Sequence, residues 1–191
     1  YIMNAGSFNR CALKLNLMAS PNEATLAQYK NMSVELTNRN TGQTKRLLMN
    51  GRNTYEFRYL PENTVYSVAL RNSRGVEIAK IDNVFIENKN VELTFDRLKT
   101  IHNLSVNLTE DNAPVDPFFF NNTWLTSTGE YIARGATIDN MIEGEELRYV
   151  LSFGRDLAMK YQQPDTLTTI VGQNADNIAI ELEPIVTTHA T

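Results

Sequence analysis

The 191-residue sequence reads as an all-β chain of two small tandem β-sandwich domains, with one short helix in the first. Three observations predict this. Apolar and polar residues alternate at period two through most of the chain, so each strand has one buried face and one wet face. Turn residues recur at the spacing of roughly 8–12 residues that β-sandwiches use. The pattern also repeats: Leu13-Lys14-Leu15-Asn16-Leu17 returns as Leu104-Ser105-Val106-Asn107-Leu108, an interval of 91 from 13 to 104, and Asn90-Val91-Glu92-Leu93 returns as Asn177-Ile178-Ala179-Ile180, an interval of 87 from 90 to 177. Solenoid repeats run about 20–50 residues, so a period this long suits a pair of domains instead.

In the first half, Leu13, Leu15 and Leu17 alternate with Lys14 and Asn16 as a first strand. Ser20-Pro21-Asn22-Glu23 then carries a cap, a proline at the first helical position and an acid three residues after the cap, which predicts a helix over residues 22–30 with Leu26 and Tyr29 on one face. Strands follow at residues 32–37 and 43–49, separated by a turn over 38–42. Asn50-Gly51 is the strongest short hairpin signal. After it, Tyr55, Phe57 and Tyr59 are expected on one face and Thr54, Glu56 and Arg58 on the other. Strands at 65–71, 76–86 and 91–95 complete a set of seven.

The second half repeats the plan with strands at residues 104–108, 122–125, 131–134, 136–142, 147–153, 167–171 and 178–182. Where the first half has its helix, residues 112–117 hold Pro114 and Pro117 and read as an irregular loop. Residues 97–102 are too short for a flexible linker, which predicts abutted domains. The expected division is a leader over 1–10 able to donate a strand, a first domain over 11–98, a second over 101–186 and a tail over 187–191. The tail from Val186 is a second candidate donor for an exposed sheet edge.

Composition narrows the function classes. A hydrophobic fraction of 42% with 21% charged residues belongs to a folded globular chain. The net charge is −4 and no basic run exceeds Lys45-Arg46, so nucleic acid is not an expected partner. The single cysteine, Cys11, closes no intrachain disulfide and reads as a small buried side chain, and Phe8-Asn9-Arg10 lacks the small and aliphatic residues of a lipid-attachment signal. No run of 18 apolar residues exists, so no transmembrane segment is expected. A chain that starts at Tyr1 reads as part of a longer protein.

Tyr55-Glu56-Phe57-Arg58-Tyr59-Leu60-Pro61, followed by Val65-Tyr66-Ser67-Val68-Ala69-Leu70, is similar to a stretch of carboxypeptidase-regulatory-like, or transthyretin-like, sandwich domains, with Asn63 or Thr64 where those domains usually place a glycine. The resemblance covers the first half and extends to the second by analogy. It implies seven-stranded Greek-key (transthyretin-like or Ig-like) sandwiches, used in bacteria as modules of secreted and cell-surface proteins, including fimbrial subunits and anchors. The related collagen-binding B-type repeats carry an internal Lys–Asn crosslink. Lys14 invites that comparison, but residues 104–108 hold no lysine, and an outward, solvated Lys14 is expected.

Candidate sites are few. No catalytic residue and no metal ligand set is expected: His102 falls in the interdomain segment, His189 in the tail, and neither has acids or a cysteine at ligand spacing. Glu143, Glu145 and Glu146 read as solvated turn residues, and Glu110-Asp111-Asn112 is only a short acidic cluster. Asn-x-Ser/Thr sequons at Asn31, Asn103, Asn107 and Asn121 follow from an asparagine-rich chain, and Asp165-Thr166-Leu167 resembles an O-glycosylation signal of some exported Gram-negative proteins. The unusual stretch runs from Pro117 to Trp124. Phe118, Phe119 and Phe120 cannot all point to one face of a strand. In a binding reading, Trp124 with a neighbouring phenylalanine and Asn121 or Asn122 stacks on and hydrogen-bonds a sugar. In a packing reading, Phe118 and Phe120 plug the sandwich end, Phe119 packs on the first domain and Trp124 is a core aromatic.

The sequence therefore predicts a non-enzymatic, cofactor-free bacterial surface module that serves adhesion, pilus or fimbrial assembly, or spacing. Its expected partners are other protein domains or subunits at the cell surface, with glycans as a further possibility, and its expected location is extracytoplasmic, at the outer-membrane surface or secreted. Two alternatives stand beside this: a glycan-binding module using the aromatic segment, and an accessory domain of a larger secreted enzyme.

Overall fold

The computed structural model describes residues 10–17, 28, 31–95 and 97–186. The helix expected over 22–30 lies outside these residues apart from Gln28, as do the donor leader over 1–9 and the tail with His189. The chain divides into two compact units, Tyr1–Lys99 and Thr100–Thr191.

Unit 1 holds strands β1 (Arg10–Asn16), β2 (Ser33–Asn38), β3 (Thr44–Leu48), β4 (Thr54–Pro61), β5 (Thr64–Arg71), β6 (Glu77–Ile86) and β7 (Val91–Thr94). They form two sheets, ordered β4-β1-β7 and β3-β2-β5-β6. All pairs are antiparallel except β1 with β7. The period-two pattern decides which side chains enter: Leu13, Leu15, Val34, Leu36, Tyr55, Phe57, Val68 and Leu70 are buried. Cys11 is buried with them.

Two features depart from simple alternation. Asn50 (φ 51°) and Gly51 (φ 75°) make the expected tight turn, but the strands it joins lie in different sheets, so no hairpin ladder forms. Tyr59, expected to share a face with Tyr55 and Phe57, is instead 73% exposed. Its backbone takes a left-handed φ of 61°, which turns its side chain out and brings Leu60 in, and the ladder with β1 shifts register at the same place.

Unit 2 holds β8 (Ile101–Glu110), β9 (Ala113–Val115), a 3-10 turn (Pro117–Phe119), β10 (Asn121–Thr126), β11 (Tyr131–Arg134), β12 (Thr137–Ile142), β13 (Glu146–Ser152), a one-turn helix α1 (Arg155–Ala158), β14 (Leu167–Ile170) and β15 (Asn177–Glu181). Its sheets are ordered β12-β8-β15 and β11-β10-β13-β14, with β15 parallel to β8, which is the strand order of unit 1 repeated. The fold is all-β, with a β-sandwich in each unit. The sequence repeat is displaced relative to the structural one: Leu13 lies opposite Val91 in unit 1, whereas Val106, not Leu104, lies opposite Ile178 in unit 2. The displacement is two residues, an even number, so every side chain keeps its face.

Residues 112–117 are not an irregular loop. Asp111 (φ 48°) and Asn112 (φ 63°) form a two-residue turn, and the chain returns as β9 paired to the end of β8. Pro114 is tolerated because β9 is an edge strand. The core of unit 2 draws on both sheets, with Leu104, Val106, Leu108, Ile138, Met141 and Ile178 meeting Trp124, Leu147, Tyr149 and Leu151.

Candidate functional site

The segment between β9 and β10 is shaped by its first residues. Asp116 caps the 3-10 turn, accepting a hydrogen bond from Phe118 N at 2.9 Å, and Pro117 fixes the first position. The turn aims Phe118 and Phe119 outward before the chain re-enters the sheet. Phe118 is 83% exposed and Phe119 67%, and the two rings pack edge to face at 5.6 Å. Phe118 therefore does not plug the sandwich end. Phe120 does turn inward, edge to face against Phe153 at 5.7 Å.

Trp124 is fully buried at 0% exposure, with its ring 4.9 Å from Tyr149 and its indole nitrogen donating to Gly135 O at 2.8 Å. Both faces of the indole belong to the core, so it offers nothing for a ligand to stack on. Asn122 is buried as well. Its amide donates to the carbonyls of Pro117 at 3.3 Å and Phe120 at 3.2 Å, while its oxygen accepts from the Tyr149 hydroxyl. Burial drives the Tyr149 phenol strongly upward, which keeps it protonated and donating. A buried polar relay thus runs from Tyr149 through Asn122 to the 3-10 turn and holds the two exposed phenylalanines in place.

Of the residues expected to form a binding surface, Phe118, Phe119 and Asn121 remain accessible, while Phe120 and Trp124 serve as packing. Each exposed ring borders its own cleft. One, of about 330 Å³, sets Phe118 beside Asp116, Asn121, Arg134 and Gly135. The other, of about 390 Å³, sets Phe119 beside Gly154, Arg155, Asp156 and Leu157. The sequence pattern gave no sign of Arg134 or of α1, because both reach the phenylalanines only through the sheet pairing of β10 with its neighbours.

A second polar cluster was hidden from the sequence. His102 lies in β8 rather than in a linker, and its ring faces Asp176 at 3.0 Å on Nδ1 and Thr100 Oγ1 at 2.7 Å on Nε2. The Thr100 hydroxyl lies between this ring nitrogen and Glu143, whose carboxylate accepts from it at 3.0 Å. Glu143 N also bonds to Thr100 O at 2.9 Å. The group acts as a clamp that ties the start of β8 to the turns carrying Glu143 and Asp176. Glu145 is likewise engaged, accepting from Ile142 N at 2.6 Å, so these turn carboxylates are structural rather than merely solvated.

Within the acidic cluster, Glu110 accepts from the Tyr161 hydroxyl at 2.6 Å. Glu181 accepts from Thr109, and that bond first among its causes holds its carboxyl below the usual carboxylate range. Among the described residues no group of three or more His, Cys, Asp or Glu side chains could hold a metal. Lys14 points outward, 3.7 Å from Glu92. No helix of the described residues is long and apolar enough to cross a membrane.

No protein-family model matches the sequence, and no curated protein matches it. Solved structures do resemble it in shape. GBS52, the minor pilin of Streptococcus agalactiae, aligns with a TM-score of 0.56 at 9% identity over 95% of this chain and 99% of that one. The C-terminal fragment of the pilus adhesin SpaC of Lactobacillus rhamnosus GG gives 0.35 at 10% identity over 95% and 100%. The Bacillus anthracis TIE protein gives 0.38 at 14% identity, and the chain spans only 34% of its length. At these identities the likeness to GBS52 concerns the fold alone.

Proposed function

We propose that the chain is a non-enzymatic, extracytoplasmic module of a bacterial surface assembly, acting in adhesion, pilus assembly or spacing alongside other protein subunits. The observation that carries this reading is the match of nearly the whole chain to nearly the whole of a minor pilin. The architecture fits the role, since tandem sandwiches place their edges and loops at the surface and need no ligand to fold. Immunogold labelling of intact cells of the native host, with antibodies to the purified chain, tests it. Labelling of the surface or of fibres is expected, and signal that appears only after permeabilisation overturns the reading.

A second reading is favoured by one specific observation, the exposed Phe118 beside a cleft that holds Asp116, Asn121 and Arg134, with the exposed Phe119 beside another that holds Arg155 and Asp156. An aromatic face with adjacent carboxylate, amide and guanidinium groups is the chemistry that binds a sugar ring. Glycan-array binding that is lost in Phe118→Ala and Phe119→Ala supports this reading, and absence of binding to any glycan removes it. Trp124→Ala is unsuitable for this test because it empties the core.

A further inference from the structure

Unit 1 carries a second surface feature that neither reading uses. Among the described residues, β3 and β4 are edge strands of the two different sheets, each paired on one side only, with β2 and β1 respectively. A groove of about 410 Å³ opens where they meet, lined by Leu47 and Leu48 of β3, Arg52 of the connecting turn, Tyr55, Glu56 and Arg58 of β4, and Lys14 of β1, three cations against one acid. Every residue of β3 is exposed, and Leu48 is 64% exposed. A free, flat, partly apolar edge of this kind is a template for another strand.

The electrostatics select the partner. Residues 1–99 hold 14 lysines and arginines against 9 acids, a net of +5, whereas residues 100–191 hold 4 against 13, a net of −9. Around the groove, Lys14 and Arg58 have exposed partners in Glu92 at 3.7 Å and Glu56 at 3.3 Å. Arg52 pairs with no carboxylate among the described residues. Beneath it Tyr55, only 7% exposed, carries a hydroxyl with no hydrogen-bond partner among the described residues, and burial raises that phenol above its ordinary value while the Arg52 charge opposes the rise. A buried polar atom left unpaired is uncommon in folded proteins.

We infer that this groove receives an extended acidic peptide segment of a partner protein, which adds as a strand to the free edge of β3. One carboxylate of the segment meets Arg52, and an apolar residue covers Leu47 and Leu48. A peptide suits the site better than an acidic polysaccharide, because only a peptide backbone satisfies the unpaired N–H and C=O groups of β3 in register. The chain's own segments over 1–9 and 187–191 contain no Asp or Glu, so neither meets the charge requirement. The inference rests on the assembly reading for its biological setting. Its test reads β3 directly, so a protein that assembles through another face passes the first test and fails this one.

The test is an NMR titration of the ¹⁵N-labelled full chain with an acetylated, amidated valine–threonine hexapeptide bearing one central glutamate. Amide shifts are expected at residues 44–48 and 52–58, with affinity falling about tenfold or more in Arg52→Glu and on raising the salt concentration. A lysine version of the peptide and a version N-methylated at alternate backbone nitrogens are expected not to bind. Shifts elsewhere, equal binding of either control peptide, or the same shifts from a hyaluronan tetrasaccharide without any from the peptide would each overturn the inference.

Discussion

The two units share a strand order and treat their buried polar groups in opposite ways. In unit 2, the hydroxyl of Tyr149, both ends of the Asn122 amide and the Trp124 indole nitrogen are hydrogen-bonded inside a core drawn from both sheets. In unit 1, the Tyr55 hydroxyl and the Asn53 side-chain oxygen are buried without partners among the described residues. The same topology therefore yields one unit whose polar interior supports a surface loop and another whose polar interior is incomplete beside a groove. The difference lies in the side chains rather than in the ladder of strands.

The largest expected effect that separates the units is Trp124→Ala. Removing a fully buried indole costs about 3–5 kcal/mol through lost burial and the cavity left behind. The amide spectrum of unit 2 should collapse toward disorder in low urea, while cross-peaks of residues 33–95 keep their positions. Uniform loss of both sets would show that the units do not hold their cores independently.

A matched pair of hydroxyl deletions sharpens the comparison. Tyr149→Phe strips the Asn122 oxygen of its donor inside the core, a loss of about 1–3 kcal/mol. Tyr55→Phe removes a hydroxyl that has no partner, so stability should change by less than about 0.5 kcal/mol or rise. Urea midpoints at neutral pH check both, and equal losses would erase the distinction between a satisfied and an unsatisfied interior.

Much of this contrast was beyond the reach of the sequence. Period-two alternation placed the strands because burial on one face is a local property of the pattern, and it survived even where the repeat was misaligned by two residues, since an even slip changes no face. It failed at Tyr59, where a left-handed backbone breaks the alternation, and at β9, where a proline tolerated on an edge strand masked a short ladder. The site suffered for a different reason. His102 meets Asp176 across 74 positions and Tyr149 meets Asn122 across 27, and no local spacing announces such contacts. The unusual Phe118-Phe119-Phe120 run was legible as something other than a strand. Which rings faced out depended on the Asp116 cap and Pro117, and that depends on turn geometry.

Alkaline titration gives a further, smaller separation. Burial raises the Tyr149 phenol above its ordinary value, and the hydrogen bond to Glu110 does so for Tyr161. A phenol whose folded-state pKa lies above its unfolded value, about 10, contributes stability that is fully present below that pH. The contribution is lost as pH rises toward the folded-state value. Trp124 is the only tryptophan, so its fluorescence reports on unit 2 alone. Its urea midpoint should fall on going above about pH 10, and Tyr149→Phe should flatten that fall. A midpoint that does not move with pH would remove Tyr149 as a titrating part of the core.

The smallest expected effect on stability belongs to the exposed rings, and its smallness is informative. Phe118 and Phe119 touch each other and the clefts but contribute nothing to the core, so Phe118→Ser and Phe119→Ser should each change stability by no more than about 0.5 kcal/mol. Keeping two large apolar side chains in water without a stabilising return is a cost that packing does not explain. If the paired variant proves clearly less stable in urea, the rings are structural and the clefts beside them lose their interest. If stability is unchanged, the relay from Tyr149 through Asn122 holds this turn in place for contact with something outside the chain. Tyr149→Phe should then broaden the amide signals of residues 117–121 while Phe118→Ser leaves the core resonances of Trp124 where they are.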